Sequence, residues 1–395
     1  MADASRGGRG LLREVWAVPA YRRWSLTAQV SRLPLSGTPL AFILLATAAT
    51  GNYRLGGVMV AAAAAAEVLF AAPVGRRLDR IDTVAAIVRL LLAAALTLAL
   101  LAAAGALNLW GAILVALAVA SSTLTAGVPA GLRRILTVTV PPRLLTPALA
   151  LDGVLIEFAA VAGPLIVALA ALATQVGGVI AMAALTAAAA LFARGLSAPP
   201  AATATGAGRR RGTGVLRSPG VLVWMGIGLA GAQAIGLAEV SALPISESLG
   251  GGSLTAVAFL AVLGVFSAVA GIGYGICSER LPGSAGQRAT VLLVGLGAGT
   301  GILAGQLGLI PTVVGYALIG ACTAPLVTTV LITVQRLVPE TQTTEAFGIY
   351  TAFIGVGYAL AGAALAALSL HAALLTAVLT LPVLALVAVT SRPPR

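Results

Sequence analysis

The sequence predicts an all-α membrane protein made of two pseudo-symmetric six-helix bundles. Three observations carry that expectation. First, the 395-residue chain is 59% hydrophobic and only 9% charged, with a mean hydropathy of +1.04; soluble domains run at roughly 45–50% apolar and about 25% charged. Second, the apolar residues fall into runs of roughly 20, the length a helix needs to cross a bilayer. Third, the chain repeats itself. Gly75-Arg76-Arg77-Leu78-Asp79-Arg80 separates two apolar runs, and two hundred positions later Gly275-Ile276-Cys277-Ser278-Glu279-Arg280 does the same. Glycine, acid and arginine coincide in both copies. A looser echo has the same period, with Val140-Pro141-Pro142 before a run reaching Gly163 and Val338-Pro339-Glu340 before one reaching Gly362. Self-similarity on this scale means two structurally equivalent halves.

Taken in order, residues 1–23 form a cytoplasmic N-terminal segment with Arg6, Arg9, Arg13, Arg22 and Arg23, read as a short interfacial helix. A basic start before an apolar run imitates a secretory signal, but the run from Trp24 to about Thr50 is too long for one. The first six spans are expected near 24–49, 55–75, 84–107, 109–131, 147–173 and 176–194, giving an N-terminal bundle over 24–194. Residues 195–220 hold Pro199, Pro200, small residues and Arg209-Arg210-Arg211, the composition of a flexible basic linker. Six more spans are expected near 221–243, 254–277, 289–309, 312–334, 345–369 and 371–391, a C-terminal bundle over 221–391, followed by a tail at 392–395.

The net charge of +12 follows from 24 basic residues, all arginine, against 12 acids. In a soluble protein it would suggest nucleic acid. Here the arginines cluster in the segments that a twelve-span chain with both termini cytoplasmic places inside; only Arg54 falls outside, and Arg32 lies within span 1. That is the positive-inside pattern, so the expected partner is the lipid bilayer of the plasma membrane and no nucleic acid. Cys277 and Cys322 have neither metal-ligand nor redox spacing and read as packing residues.

Six spans, a basic linker and six more spans with a repeated loop resemble the major facilitator superfamily over essentially the whole chain. The span 2–3 loop of that family reads Gly-x-x-x-Asp-Arg-x-Gly-Arg-Arg. Gly75, Asp79 and Arg80 match it, and Ile81-Asp82-Thr83-Val84 replaces the remainder. The resemblance implies a cytoplasmic gate of Gly75, Asp79, Arg80, Gly275, Glu279 and Arg280. In it, Asp79 approaches the start of span 11 at Thr343-Thr344, and Glu279 the start of span 5 at Thr146-Pro147. A carboxylate at a helix N-terminus is favoured by the macrodipole and the free N–H groups there. Gly163-Pro164 resembles the core of the family's antiporter motif, with Ala159 and Ala150 where further glycines stand. Span 4 has arginines only at its inner end, Arg133 and Arg134, unlike the drug–proton antiporters that carry one at mid-membrane.

Ionisable residues within spans are costly and by default functional. Glu67 falls near the middle of span 2, Glu157 near the middle of span 5, and Asp152 nearer its cytoplasmic end. Five residues turn a helix by about 500°, so Asp152 and Glu157 do not share a face. Arg32 lies about 12 Å into span 1 at the standard rise, which allows a pair with either Glu157 or Asp152. Asp152 has the alternatives of snorkelling or of pairing with Arg133 or Arg134. Glu239, ahead of Pro244 near the outer end of span 7, reads as solvated.

Other patterns are bland. Gly226-Ile227-Gly228-Leu229-Ala230-Gly231 spells a dinucleotide fingerprint inside an apolar span, with no strand before it. It reads as helix packing, as do the four-residue glycine spacings at Gly297, Gly301 and Gly305 and at Gly271 and Gly275. His371, the only histidine, falls in the expected outer loop between spans 11 and 12 and builds no triad or metal cluster.

The expectation is therefore no enzyme, no cofactor and no metal. The chain reads as a monomeric secondary transporter working by alternating access, with a midplane site between its halves. No ATP-binding motif is present, so the energy comes from a gradient, and the superfamily resemblance favours protons. Glu67, Glu157, Asp152 and Arg32 are the candidates for substrate and proton coupling. The polar and aromatic groups expected to line the cavity are few: Gln29, Trp24, Gln233, Tyr316, Tyr350 and Tyr358. That suits export of a small lipophilic or amphipathic compound. The alternatives are import of a small metabolite, or a non-transporting assembly factor, receptor or scramblase, which would have no need of Glu67 or Glu157.

Overall fold

The structure, a computed structural model, describes residues 13–78, 83–197, 218–277, 282–338 and 343–390. Everything regular among these residues is helical. A short helix over residues 13–17 (α1) precedes α2 (Pro19–Thr50), α3 (Tyr53–Leu78), α4 (Thr83–Ala106), α5 (Gly111–Thr125), α6 (Val128–Thr139), α7 (Pro142–Ala173) and α8 (Gly177–Ala193). The second half supplies α9 (Pro219–Ser248), α10 (Ser253–Cys277), α11 (Ala285–Gly305), α12 (Leu309–Leu337), α13 (Thr343–Ala367) and α14 (Leu370–Thr390). Nine helices among the described residues are long and apolar enough to cross a membrane. Three shorter apolar stretches, Phe158–Ala173, Gly177–Ala193 and Leu370–Leu386, lie where spans 5, 6 and 12 are expected.

Helix ends follow local chemistry. Proline opens α2, α7 and α9, where its missing N–H is an orphan anyway. Ser284 caps α11: its hydroxyl accepts from the Gln287 N–H, and the Gln287 side chain accepts from the Ser284 N–H at 2.8 Å, a capping box. Gly51, at φ +67°, makes the reversal between α2 and α3 that a side chain would resist.

The expected fourth span differs from a single helix over 109–131. It breaks after Thr125 and resumes at Val128, because Pro129 cannot donate to the preceding turn. The resumed segment, α6, is amphipathic, burying Val128, Leu132, Ile135 and Leu136 while Arg133 stays exposed. Span 7 is also longer than expected: α9 runs through Pro244 to Ser248.

By packing, the chain forms two compact units, one of Met1–Ala41 with Ala66–Gly206, the other of Phe42–Ala65 with Ala207–Arg395. Within the first, α2 meets α7 where Gly37 and Gly163 let the backbones approach, and α4 packs on α5 and α8. Its core gathers Tyr21, Trp24, Ile87, Leu132 and Leu136, with Val15 of α1 docked into it. Within the second, α9 packs on α13, and α11 packs on α12 and α14. Counted by span, the pairings 1–5, 3–4 and 3–6 recur as 7–11, 9–10 and 9–12. The repeat read from the loops is thus a repeat of helix packing.

The glycine patterns resolve into contacts of different kinds. A side chain at Gly228 would strike the Tyr350 ring, and one at Gly231 would strike Leu326, so the fingerprint-like stretch is packing surface. On α11, a Cβ on Gly297 or Gly301 would meet α14 at an ordinary 3.8 Å, whereas Gly295 and Gly299 take the close approach to α12. Cys322 is buried, as a packing residue should be.

Candidate functional site

In the first unit, the α2–α7 pairing brings Arg32 and Asp152 together. The guanidinium meets the carboxylate through two contacts, Nη1 to Oδ1 at 2.5 Å and Nη2 to Oδ2 at 2.9 Å. This fork-on-fork geometry is the strong form of an arginine–carboxylate bond. Asp152 is buried, with 3% of its surface exposed. Gln29, nearly one helical turn before Arg32, donates from Nε2 to the same Oδ1 at 3.1 Å. Its other terminus, Oε1, is buried without a partner among the described residues. Arg32 also borders a narrow recess lined by Ser31, Leu35, Leu91, Thr125 and Leu132.

Of the two partners the sequence allows for Arg32, the structure pairs it with Asp152. Arg134 is engaged elsewhere: it donates to the Leu78 carbonyl at 3.4 Å and to Thr83 Oγ1 at 3.3 Å, pinning the end of α3 to the start of α4. A guanidinium at a helix C-terminus is favoured by the dipole. Glu157 lies on α7, just over one turn beyond Asp152, and its side chain is outside the described residues. Glu67 is half-buried on α3 and forms no ion pair with Arg32.

The seam just beyond the pair is tight. Ser36 donates to the Ala159 carbonyl at 2.8 Å, and a Cβ on Gly163 would lie 2.5 Å from the Leu33 carbonyl oxygen. Gly163 of the antiporter-like dipeptide is therefore a contact point of α2 with α7.

The second unit holds a polar link that sequence reasoning misses. Glu239 is half-buried, and Tyr358 of α13 donates to its Oε1 at 3.2 Å. A span that stops near Pro244 would leave this acid solvated. With α9 continuing to Ser248, Glu239 sits nine residues from the helix end, about 14 Å at the standard rise. Earlier in the same helix, Gln233 donates to Thr376 of α14 at 3.3 Å. Two of the expected cavity groups are instead core: Trp24 donates to the Leu132 carbonyl at 2.6 Å and Tyr316 to the Ala238 carbonyl at 2.8 Å, both fully buried. His371, the second residue of α14 rather than a loop residue, contacts the Ala304 carbonyl through Nδ1 at 2.8 Å. It secures the end of α11, a structural task.

Of the residues expected to form a gate, Gly75 lies in the last turn of α3 and Gly275 in the last turn of α10, and a Cβ on either would meet nothing within 4 Å. Asp79, Arg80, Glu279 and Arg280 lie outside the described residues. No group of three or more His, Cys, Asp or Glu that could hold a metal occurs among the described residues.

Comparison with known proteins agrees with this architecture. The family model for the Major Facilitator Superfamily matches residues 30–362. A crystal structure of the nucleoside transporter NupG, in a mutant form, superposes with a TM-score of 0.72 at 13% identity, covering 94% of this chain and 99% of that one. A second NupG crystal structure gives 0.69 at 12% identity, with 95% and 100% covered. A search of curated proteins finds no match. At such identity the likeness is one of fold, while the family match runs from the first span into the eleventh: the chain belongs to the Major Facilitator Superfamily.

Proposed function

We propose that this member of a transporter family is a proton-coupled secondary transporter that exports a small lipophilic or amphipathic compound across the plasma membrane by alternating access. The observation that carries the reading is the Arg32–Asp152–Gln29 constellation, three polar side chains held within apolar helices where charge is costly. A buried ion pair is weak evidence for stability, since its desolvation can exceed its attraction. A functional reason for keeping it is the simpler one. Glu67 and Glu157 serve as proton carriers, and Arg32 and Asp152 position the substrate or couple to it. Gly75, Asp79 and Arg80, with Gly275, Glu279 and Arg280, form the cytoplasmic gate. The bundles at 24–194 and 221–391, joined by the linker at 195–220, act as the two moving halves of a monomer with both termini cytoplasmic.

The sparse polar lining supports a lipophilic cargo, and Gly163-Pro164 supports export. A second reading, import of a small metabolite, draws on the nucleoside transporter that shares the fold. Reconstitution into proteoliposomes separates them. Proton flux is recorded with a pH-sensitive dye while a panel of lipophilic compounds and nucleosides is offered from each side. Export predicts proton movement opposite to a lipophilic compound. Nucleoside uptake together with protons would replace the first reading with the second.

A further inference from the structure

Two turns of this protein are apolar, where a turn exposed to water is usually polar. Leu107-Asn108-Leu109-Trp110 joins α4 to α5, and two hundred positions later Leu307-Gly308-Leu309-Ile310 joins α11 to α12. Each reverses the chain through a left-handed residue, Asn108 at φ +51° and Gly308 at φ +110°. Each presents large side chains outward: Leu107 is 70% exposed, Trp110 83%, Leu307 72% and Ile310 78%. Other turns differ. Asn52 and Arg54 are exposed at the α2–α3 turn, and the α9–α10 turn exposes Glu247 ahead of Gly250-Gly251-Gly252.

The apolar surface begins well before the turns. On α4 the exposed residues Leu92, Leu96, Leu100 and Ala103 fall three or four apart, a single stripe that runs into Leu107. On α11 the exposed residues Val291, Val294, Ala298 and Gly305 form a stripe ahead of Leu307. An arginine stands one turn before each stripe, Arg89 on α4 and Arg288 on α11, each seventeen residues from its helix's last residue, Ala106 or Gly305. No charge follows from Leu90 to Leu132 or from Ala289 to Gln335. Seventeen residues rise about 26 Å, and the hydrocarbon core of a bilayer is roughly 30 Å thick. The helices thus end a few ångströms short of the far edge, and the turn residues fill the difference.

Exposed apolar patches mark a membrane or a partner protein. Here the patch continues the lipid-facing stripe of a spanning helix. It also occurs once in each half, and the bilayer is the surrounding that two equivalent halves share. Trp110 carries the amphipathic ring that favours a membrane interface.

We propose that the α4–α5 and α11–α12 turns are embedded in lipid, with Leu107, Trp110, Leu307 and Ile310 at one edge of the hydrocarbon core and Arg89 and Arg288 at the other. The partner of these turns is phospholipid, and they fix the depth of spans 3, 4, 9 and 10. The inference is independent of the cargo and of the coupling ion.

The test uses the full-length protein with Cys277 and Cys322 replaced by alanine, reconstituted in phosphatidylcholine vesicles. Spin labels are attached at Leu107→Cys, at Ile310→Cys and, as the water-facing reference, at Gly250→Cys. Gel-filtration profiles matching the wild type show that the labelled variants fold. Collision rates are read with oxygen, which concentrates in lipid, and with a nickel chelate, which stays in water. The oxygen-to-nickel ratio should be severalfold higher at the two apolar turns than at Gly250→Cys. A second measurement needs no label. Tryptophan fluorescence of the wild type should be quenched by phosphatidylcholine brominated near the head of its acyl chains, and Trp110→Phe should lower that quenching. Three results overturn the proposal. Nickel collisions at either turn that match the reference put that turn in water. Exclusion of both reagents means that protein, such as a second copy of the chain, covers it. Quenching unchanged in Trp110→Phe means that Trp110 does not meet lipid. Neither measurement involves transport, so failure here leaves the transporter reading standing.

Discussion

Arg32 and Asp152 join α2 to α7 through paired contacts of 2.5 and 2.9 Å, with Asp152 almost fully buried. Breaking such a pair from one side strands the other charge, which typically costs about 3–5 kcal/mol. Asp152→Asn and Arg32→Gln should therefore each lower the midpoint of chemical unfolding in mixed micelles. Replacing both, as Arg32→Met with Asp152→Leu, should recover much of the loss, since a packed apolar pair needs no desolvation. Strictly additive effects in the double-mutant cycle would mean the contact carries no coupling energy.

Gly163 is where the same two helices press together. An added methyl there would lie 2.5 Å from the Leu33 carbonyl oxygen and 3.1 Å from the Gly37 nitrogen, both backbone. Gly163→Ala should destabilise by about 1–3 kcal/mol, the usual range for overpacking. Gly301→Ala, whose methyl would find only Val378 at 3.8 Å, should be neutral or slightly stabilising. Thermal melts of the two variants give the comparison, and equal losses would show that α2 and α7 are free to part at Gly163.

Depth along a span is legible in a sequence, and rotation about it is not. Counting residues puts Arg32 level with the acids of span 5 and leaves two partners open; only the α2–α7 crossing selects Asp152. Glu239 escapes the sequence for a different reason. Pro244 looks like a stop, yet a proline inside a membrane helix costs one hydrogen bond that the surroundings can make good, and α9 passes through it. Trp24 and Tyr316 read as cavity groups because their tips are polar. Those tips are satisfied by carbonyls of residues far off in sequence, Leu132 and Ala238, a partnership no local pattern announces. What the repeat of Gly75-to-Arg80 at Gly275-to-Arg280 does announce is duplication, and the helix pairing bears it out.

The gate can be tested by distance. Asp79→Asn removes a carboxylate whose interaction with a helix N-terminus is typically worth roughly 0.3–1 kcal/mol, up to about 2 when partly buried. The variant should fold normally and shift toward the inward-open state, as should Glu279→Gln. Spin-label distances across the cytoplasmic face that do not change in either variant would count against the latch.

Orientation has its own measurement. In a background with Cys277 and Cys322 replaced, cysteines at Arg54 or Gly250 should react with an impermeant thiol reagent in intact cells. Cysteines at Ala207 or Gly283 should react only after permeabilisation. Labelling of Ala207 in intact cells overturns the arrangement with both termini inside.

Coupling is the most demanding prediction. A carboxylate that carries protons must be charged in one state and neutral in another, and exchange of water for a closed apolar surrounding drives that change. Glu67, half-buried on α3 with no ion-pair partner among the described residues, meets the requirement. Glu157 meets it by position, just over one turn beyond the engaged Asp152. With Arg32 committed to Asp152, Glu157 has to release its proton to water without that arginine's charge to favour the release, and this makes the two acids equal candidates. Glutamine copies the protonated form at nearly constant volume. If Glu157 is the carrier, Glu157→Gln should abolish proton-driven accumulation while leaving substrate binding and downhill exchange largely intact. If Glu67 is the carrier, Glu67→Gln gives that result instead. Uphill transport is measured in proteoliposomes under an imposed pH gradient, and exchange with the gradient collapsed. Should both single variants and the double variant accumulate substrate at the wild-type rate, with the wild-type response to pH, neither acid carries the proton and both are structural.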